Sequence, residues 1–261
     1  MRRFIFFIVL GTLALFANSA EKVFKNRCGL CHREYLPQSK LISNYEHNNS
    51  DLNLTAPTLT ELSFRLRDQV GDRRADKESQ LLEIEDFLME YLTHPDRNRT
   101  ILFDKTIENF KTMPSMKITE EEVELLAPYM FDFSEKMMVK HSVKRYGYEE
   151  ALKKAKKENK IVMIEGYIHF CRGCIQMDRE VFVEDRVKEA LNKDFVVVHE
   201  NMLLEKLPLG LKSLGTPSFY FITNDGKKVI DQLQGIGTVE EFLELLDEIR
   251  ENLRKGVFFK G

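Results

Sequence analysis

The sequence has little of several features that mark specialised proteins. It contains no tryptophan and only four cysteines among 261 residues, and four cysteines are too few for a small domain held together by disulfides. A basic excess is also missing, since 39 Lys and Arg residues stand against 42 Asp and Glu residues. This balance argues against a dedicated nucleic-acid binder, so no nucleic acid is expected as a partner.

The composition is that of a folded protein. Hydrophobic residues make up 43% and charged residues 31%, which argues against wholesale disorder and allows a packed core. At roughly 100–200 residues per domain, the length fits one large domain or two small ones.

The first twenty residues have the three-part layout of a secretory signal peptide. A short basic start, Met1 to Arg3, precedes an apolar run of 13 residues at 4–16, and small and polar residues follow at 17–20. A membrane-spanning helix needs roughly 20 apolar residues. We therefore expect residues 1–20 to be a signal peptide and the mature chain to work outside the cytoplasm. An uncleaved N-terminal anchor is the alternative.

The rest of the chain divides into two parts with different patterns. Residues 21–133 read as short helices joined by polar loops, with little strand pattern. Residues 146–261 alternate helix and strand signals, and residues 134–145 read as a linker. The fold class expected is therefore an all-α domain followed by an α/β domain. The predicted strands of the second part are residues 161–167, 195–200, 218–223 and 228–233. Its predicted helices are residues 148–159, 172–182, 185–193 and 238–254, the last with the capping-box pair Thr238 and Glu241.

Residues 28–32, Cys-Gly-Leu-Cys-His, match the attachment signature of c-type haem. Two thiols two residues apart can add to the two vinyl groups of one porphyrin, and the adjacent imidazole then reaches the iron from one face. The alternatives are a plain redox pair followed by a chance histidine, or a zinc site. Zinc would need a further ligand such as His47.

Residues 113–122 resemble the distal loop and the capped start of the last helix in class I cytochromes c, with Thr119 as N-cap and Glu122 as its capping-box partner. Residues 56–59 resemble the segment whose proline buttresses the ligating histidine in that family. The resemblance covers residues 21–133 and implies one covalently bound haem c, with iron ligands His32 and Met113 and with Met116 as the alternative to Met113. The implied site residues are Cys28, Cys31, His32, Met113 and Pro57.

A second Cys-x-x-Cys pair, Cys171 and Cys174, follows a predicted strand and opens a predicted helix. The dipole and free N–H groups of a helix N-terminus favour a thiolate at Cys171, and Arg172 adds positive charge nearby. Cys174, one turn later, lies close enough to resolve a mixed disulfide. The pattern therefore predicts a redox-active dithiol, with a purely structural disulfide or a zinc site as alternatives.

Residues 146–255 resemble thioredoxin-like proteins, and more closely the C-terminal domain of the periplasmic thiol:disulfide interchange reductases. The likeness lies in residues 171–177, Glu180-Val181-Phe182 and residues 187–195. It implies a central mixed sheet flanked by helices, with Pro217 as a cis-proline beside the cysteines. It also implies that Glu165 is a buried acid with a raised pKa that moves a proton to or from Cys174, although an ordinary hydrogen-bonded acid is the alternative. Phe170 departs from the tryptophan usual in the family.

Together these features predict a periplasmic redox protein that combines thiol:disulfide exchange with a monohaem cytochrome. Thioredoxin-like dithiols have potentials from about −270 to −120 mV, and methionine ligation raises that of a haem. Electrons are therefore expected to pass from dithiol to haem. The expected partners are a membrane thiol reductase or a respiratory electron acceptor, and a thiol or disulfide protein or a sulfur compound as substrate. The alternatives are a disulfide reductase with an independent haem domain that serves apocytochrome maturation, and a pure electron carrier with a thioredoxin-like docking module.

Overall fold

The computed structural model describes residues 19–168, 171–204, 206–212 and 215–259. Most of the predicted signal peptide, residues 1–18, lies outside these ranges, as does Phe170. The described chain forms two compact units that divide between Met137 and Met138, with residues 37–39 belonging to the second unit. In the part of the chain described here, no helix is both long enough and apolar enough to cross a membrane.

The N-terminal unit is helical, and its described residues form no strand. Residues 19–27 are helical and are called α1 here. The helices that follow are α2 (Gln38–Glu46), α3 (Leu59–Gln69), α4 (Lys77–Thr93), α5 (Asp104–Ile107) and α6 (Glu120–His141), with a 3-10 turn at Arg97–Arg99. Phe24, Leu59, Ile84 and Leu126 are fully buried, one each from α1, α3, α4 and α6, and they belong to one hydrophobic core.

The first and last helices of this unit meet. Arg27 of α1 donates two hydrogen bonds, at 2.8 and 2.9 Å, to the carboxylate of Glu122 in α6. The predicted capping box is also present, because Glu122 accepts from the N–H of Thr119 and the Thr119 hydroxyl accepts from the N–H of Glu122, each at 3.2 Å. Local capping and a long-range ion pair therefore stabilise the same turn.

Helix α6 continues beyond the point where the sequence suggested a linker. The sequence predicts a linker over residues 134–145, whereas α6 runs to His141 and only residues 142–144 separate it from the next element. The extension has a tertiary cause, since Phe133 and Ser134 are buried. Ser63 of α3 also accepts a hydrogen bond from the backbone N–H of Ser134 at 2.9 Å. Contacts with α3 thus hold a turn that its own sequence does not mark.

The C-terminal unit is a five-stranded mixed sheet with helices on both faces. The strands are β1 (Arg145–Tyr146), β2 (Ile161–Tyr167), β3 (Phe195–Asn201), β4 (Ser218–Ile222) and β5 (Val229–Gln234), in the order β1-β3-β2-β4-β5. The helices are α7 (Tyr148–Glu158), α8 (Arg172–Glu180), α9 (Asp185–Asp194) and α10 (Val239–Lys255). Strand β3 pairs parallel with β1 and β2, whereas β4 pairs antiparallel with β2 and β5. The four predicted strands agree with the observed ones to within one residue at each end.

Alternation along the strands divides the core of this unit between the two faces of the sheet. Met163 of β2 packs in a cluster with Met177 of α8 and Leu246 of α10. Val162 and Ile164 belong to a second cluster that contains Ala151 of α7. Because successive side chains of a strand point to opposite faces, Glu165 shares its face with Met163 and therefore points toward the side covered by α8. The predicted capping box of Thr238 and Glu241 begins α10 on that side.

Candidate functional site

Cys171 and Cys174 lie where the chain leaves β2 and enters α8. Cys171 is the N-cap of α8, and its sulfur accepts a hydrogen bond from the N–H of Cys174 at 3.0 Å. The two cysteines form a disulfide with Cα atoms 5.2 Å apart, and both are buried. The same N–H and the helix dipole can stabilise a thiolate at Cys171 once the bond is reduced. The structure therefore places the predicted redox pair at the N-terminus of α8, where the helix can stabilise a thiolate.

Pro217 packs directly against the first turn of this helix. The Thr216–Pro217 peptide bond is cis, and Pro217 immediately precedes β4. A Cβ atom placed on Gly173, between the two cysteines, would lie 2.9 Å from Cδ of Pro217 and 2.9 Å from Cγ2 of Ile236. Glycine at position 173 thus allows the helix and the proline loop to approach each other. Ile236 itself is half exposed, so an apolar surface adjoins the dithiol.

Glu165 is fully buried in β2 and forms an ion pair. Its Oε2 accepts a hydrogen bond from Nε of Arg145 in β1 at 2.9 Å, whereas its Oε1 has no hydrogen bond from any described residue. Burial raises the pKa of Glu165, and the Arg145 guanidinium opposes that rise. Glu165 is therefore both an ion-paired group and a buried acid whose environment favours taking up a proton.

Arg145 joins Glu165 to a second carboxylate. Its guanidinium also donates to Asp178 of α8 and to the hydroxyl of Ser142. Burial and the neighbouring charge of Glu165 raise the pKa of Asp178 to about 6. Asp178 follows Cys174 by four residues on α8, which places the two on one face of the helix. The ion-paired cluster therefore extends from the sheet to the helix that carries the dithiol.

His199 of β3 is the register partner of Glu165 in the parallel pair of β2 and β3. Its Nε2 is 3.9 Å from Oε1 of Glu165, and its ring stacks on Tyr167 with centroids 3.8 Å apart. Burial and the positive charge of Arg145 lower the pKa of His199 to about 4, so the ring is neutral at pH 7. The side chain of His199 is 27% exposed, whereas that of Glu165 is inaccessible.

Sequence reasoning named Glu165 but missed the three residues around it. Asp178 could have been found, because an acid four residues after Cys174 falls on the same helical face. Arg145 carries no local signal, since its strand has only two residues. His199 becomes a neighbour only through the parallel register that pairs it with Glu165.

The other cysteine pair lies in a turn that follows α1. The N–H groups of Cys31 and His32 both donate to the carbonyl of Cys28, at 3.0 and 2.9 Å. Both thiols are free, with Cys31 exposed and Cys28 half-buried, and burial raises the pKa of Cys28 to about 11. Over the described ranges, no group of three or more His, Cys, Asp or Glu side chains is arranged to hold a metal ion.

His32 is held by Pro57. Its Nδ1 is 2.7 Å from the carbonyl oxygen of Pro57. Because a carbonyl only accepts, Nδ1 must carry the proton, which leaves Nε2 with a free lone pair in the neutral ring. Burial lowers the pKa of His32 and so favours that neutral form. A neutral imidazole fixed in this tautomer is the form that binds a metal through Nε2.

Met113 and Met116 lie on a segment without regular structure between α5 and α6. Both are partly buried, and both pack against the same hydrophobic core as Cys28. The N–H of Met116 donates to the carbonyl of Leu92 at the end of α4, at 2.8 Å. Both thioethers thus border the core that the Cys28 side chain also borders, and the backbone of Met116 is anchored.

Comparisons with known proteins concern the C-terminal unit. A family model described as a thioredoxin-like domain matches residues 148–250, so this unit contains a thioredoxin-like domain. A solved thioredoxin from Thermus thermophilus is 28% identical, with 42% of this chain and 88% of that chain covered and a TM-score of 0.37. The reduced DsbD C-terminal domain of Neisseria meningitidis is 23% identical, with 39% and 93% covered and a TM-score of 0.32. DsbH oxidoreductase is 17% identical, with 42% and 85% covered and a TM-score of 0.37. No curated protein matches the chain.

Proposed function

We propose that this chain is an exported thiol:disulfide oxidoreductase whose N-terminal unit carries one covalently attached c-type haem. The observation that carries the first part is the closed Cys171–Cys174 pair at the start of α8, with Pro217 packed against Gly173 between the cysteines. The thioredoxin-like domain match over residues 148–250 supports the same assignment. The signal-peptide layout of residues 1–20 supports export to the periplasm.

The exchange reaction begins from the reduced pair. The Cys171 thiolate attacks one sulfur of a substrate disulfide, and the other substrate sulfur leaves as a thiolate. Cys174 then gives up its thiol proton and attacks the sulfur of Cys171. The Cys171–Cys174 disulfide closes, and the second substrate thiolate leaves. Two electrons pass from the dithiol to the substrate disulfide, and the reverse sequence oxidises a substrate dithiol.

Glu165 is the proposed acceptor of the Cys174 proton. Burial shifts the pKa of Glu165 upward, toward neutral pH, and a general base works best when its pKa lies near the working pH. The Arg145 guanidinium opposes that rise and stabilises the ionised form of Glu165, which a base requires. The substrate is a thiol or disulfide protein or a sulfur compound, and a membrane thiol reductase or a respiratory acceptor is the partner that resets the pair.

Single-cysteine variants test the order of attack. Cys174→Ser should accumulate a mixed disulfide between Cys171 and a disulfide-bonded peptide, measured by mass spectrometry of the full chain. Cys171→Ser should accumulate little, because Cys174 is the resolving thiol. Equal trapping by the two variants would overturn the assignment of Cys171 as nucleophile, and no trapping by either would overturn the exchange function.

The second part of the proposal rests on the residues at the first cysteine pair. Cys28 and Cys31 are free thiols, His32 holds its Nδ1 proton on Pro57, and Met113 borders the same core as Cys28. This set suits a c-type haem, with Cys28 and Cys31 as attachment points, His32 and Met113 as iron ligands and Met116 as the alternative thioether. When bound, the haem would supply one-electron transfer.

Expression in a host that attaches c-type haem tests this part. The wild-type chain and the Cys171→Ser/Cys174→Ser variant should both gain the mass of one haem and its visible absorbance. Cys28→Ser/Cys31→Ser should gain neither, because the thioether attachment points are removed. A wild-type chain without attached haem would refute the haem proposal and leave the thiol exchange proposal untouched.

A third measurement asks whether the two centres act together. A substoichiometric protein dithiol is added to haem-loaded wild-type protein and to Cys171→Ser/Cys174→Ser, and the haem absorbance is followed. Faster reduction in the wild type supports electron flow from dithiol to haem. Equal traces with active thiol exchange support a disulfide reductase with an independent haem domain. If Cys171→Ser/Cys174→Ser oxidises its redox partner as fast as the wild type does, the result supports a pure electron carrier with a thioredoxin-like docking module.

A further inference from the structure

The peptide group between Pro57 and Thr58 is hydrogen-bonded at both ends. Its carbonyl oxygen is 2.7 Å from Nδ1 of His32, and its N–H donates to Oε2 of Glu61 at 2.8 Å. The C–N bond of a peptide has partial double-bond character, so the two ends are electronically connected. His32 is therefore linked to the carboxylate of Glu61 through one peptide plane.

The carboxylate of Glu61 accepts hydrogen bonds from two side-chain hydroxyls as well as from the Thr58 N–H. The Tyr45 hydroxyl donates to both carboxylate oxygens, at 2.9 and 3.0 Å, and the Thr58 hydroxyl donates to Oε2 at 3.0 Å. Glu61, Tyr45 and Thr58 are all buried. A carboxylate that accepts several donors is stabilised in its charged form, and such hydrogen bonds are stronger than neutral ones.

The backbone around this peptide is tied to the cysteine motif. The N–H of Leu59 donates to the carbonyl of Arg33 at 2.7 Å, and the N–H of Thr60 donates to that of Glu34 at 3.1 Å. The Thr55 hydroxyl donates to the carbonyl of Cys31 at 2.9 Å. Residues 55–60 therefore lie in a fixed register along residues 31–34, and the His32 contact does not depend on Glu61 alone for its position.

We infer that Glu61 is a positioning residue that acts on His32 through the Pro57–Thr58 peptide. The negative charge of Glu61 polarises the peptide, strengthens the Nδ1–H hydrogen bond to the Pro57 carbonyl and increases electron density at Nε2 of His32. The inference rests on the proposed haem attachment. A more electron-rich imidazole favours the oxidised over the reduced metal, so Glu61 lowers the reduction potential of a haem bound by His32.

Glu61 also has an ordinary structural role, which a test must separate from this one. It is the N3 residue of the capping box that begins α3, because the N–H of Glu61 donates to the Thr58 hydroxyl at 3.3 Å. Glutamine serves in a capping box as glutamate does. Glu61→Gln therefore keeps the cap and the side-chain size and removes the charge. Glu241→Gln is the matched control, since Glu241 holds the same place in the capping box of α10 in the C-terminal unit.

Two readouts on the full chain test the inference. In haem-loaded protein, Glu61→Gln should raise the potential so that the ratio of reduced to oxidised haem at fixed ambient potential grows about tenfold, which is about 59 mV for one electron. In haem-free protein with 15N-labelled histidine, the His32 Nδ1–H proton resonance should move upfield, because its hydrogen bond weakens. Glu241→Gln should change neither.

Unchanged potential and resonance in Glu61→Gln would show that Glu61 only caps the helix and would overturn the inference. If Glu61→Gln fails to fold, Tyr45→Phe carries the test at a pH at which Glu61 is ionised: it removes a hydrogen-bond donor that competes with the Thr58 N–H for the Glu61 charge, and it should move both readouts in the opposite direction. If the wild-type chain attaches no haem, the haem proposal fails, whereas the resonance in the haem-free chain still decides whether Glu61 acts on His32.

Discussion

Replacement of Arg145 by methionine should destabilise the thioredoxin-like domain and make its stability depend on pH. Arg145 is the shared partner of Glu165 and Asp178, and the side chains of Arg145 and Glu165 are 16% and 0% exposed. Removing one partner of a buried ion pair typically costs about 3–5 kcal/mol, because the remaining charge stays buried without compensation. Methionine keeps much of the arginine stem, so the loss is mainly electrostatic.

The pH dependence has a definite sign. Burial raises the pKa of Glu165 and of Asp178, and Arg145 opposes both rises. The net pKa of Asp178 is about 6. Without Arg145 both folded-state pKa values rise further above the unfolded values of about 4. An acid whose pKa is raised in the folded state contributes stability that is fully present below its pKa in the unfolded chain. That contribution is lost as the pH rises through its pKa in the folded chain. The free energy of unfolding of Arg145→Met should therefore fall from pH 4 to pH 8, by up to about 1.4 kcal/mol per pH unit for each carboxyl.

Amide hydrogen exchange of the β2 backbone in urea measures this stability separately from the N-terminal helices. The matched control is Arg186→Met, since Arg186 pairs with Glu240 on the surface, where both side chains are 65% exposed. Exposed pairs contribute little, so the control should behave like the wild type at every pH. Equal protection of β2 in the two variants, or an effect of Arg145→Met that does not grow with pH, would refute the electrostatic account.

Three further predictions concern the sites themselves. Glu165→Gln should prolong the mixed disulfide at Cys171 about 100-fold near neutral pH and flatten its pH profile, because the proton acceptor for Cys174 is lost; an unchanged lifetime in quenched-flow mass spectrometry would contradict that role. Gly173→Ala should destabilise the domain by about 1–3 kcal/mol in urea unfolding, since its Cβ would lie 2.9 Å from Pro217. Gly237→Ala, where the nearest atom is 3.4 Å away, should have little effect, and equal losses would rule out the steric explanation. In haem-loaded protein, Met113→Ala should change the ligand-field absorbance and Met116→Ala should not, and the reverse result would make Met116 the ligand.

Secondary structure was predictable where the signal lies within one turn or one strand. The capping box of Thr238 and Glu241 marked the start of α10, and that of Thr119 and Glu122 marked the start of α6, because both partners lie three residues apart. Apolar runs gave β2, β3 and β4, since each of these strands is buried along most of its length. The two-residue strand β1 was not predicted, because two residues cannot show the alternation of apolar and polar side chains that marks a strand.

The sequence by itself determined the two cysteine motifs, the order of the elements and the division into a helical part and an α/β part, because each depends on neighbours within a few positions along the chain. The tertiary structure alone decided which groups surround Glu165. Arg145 is 20 residues from Glu165 and 33 from Asp178 in sequence, and their contact depends on how β1, β2 and α8 pack. The same holds for the buried link from His32 through Pro57 to Glu61 and Tyr45, since a hydrogen bond between distant segments depends on atomic positions that only packing sets.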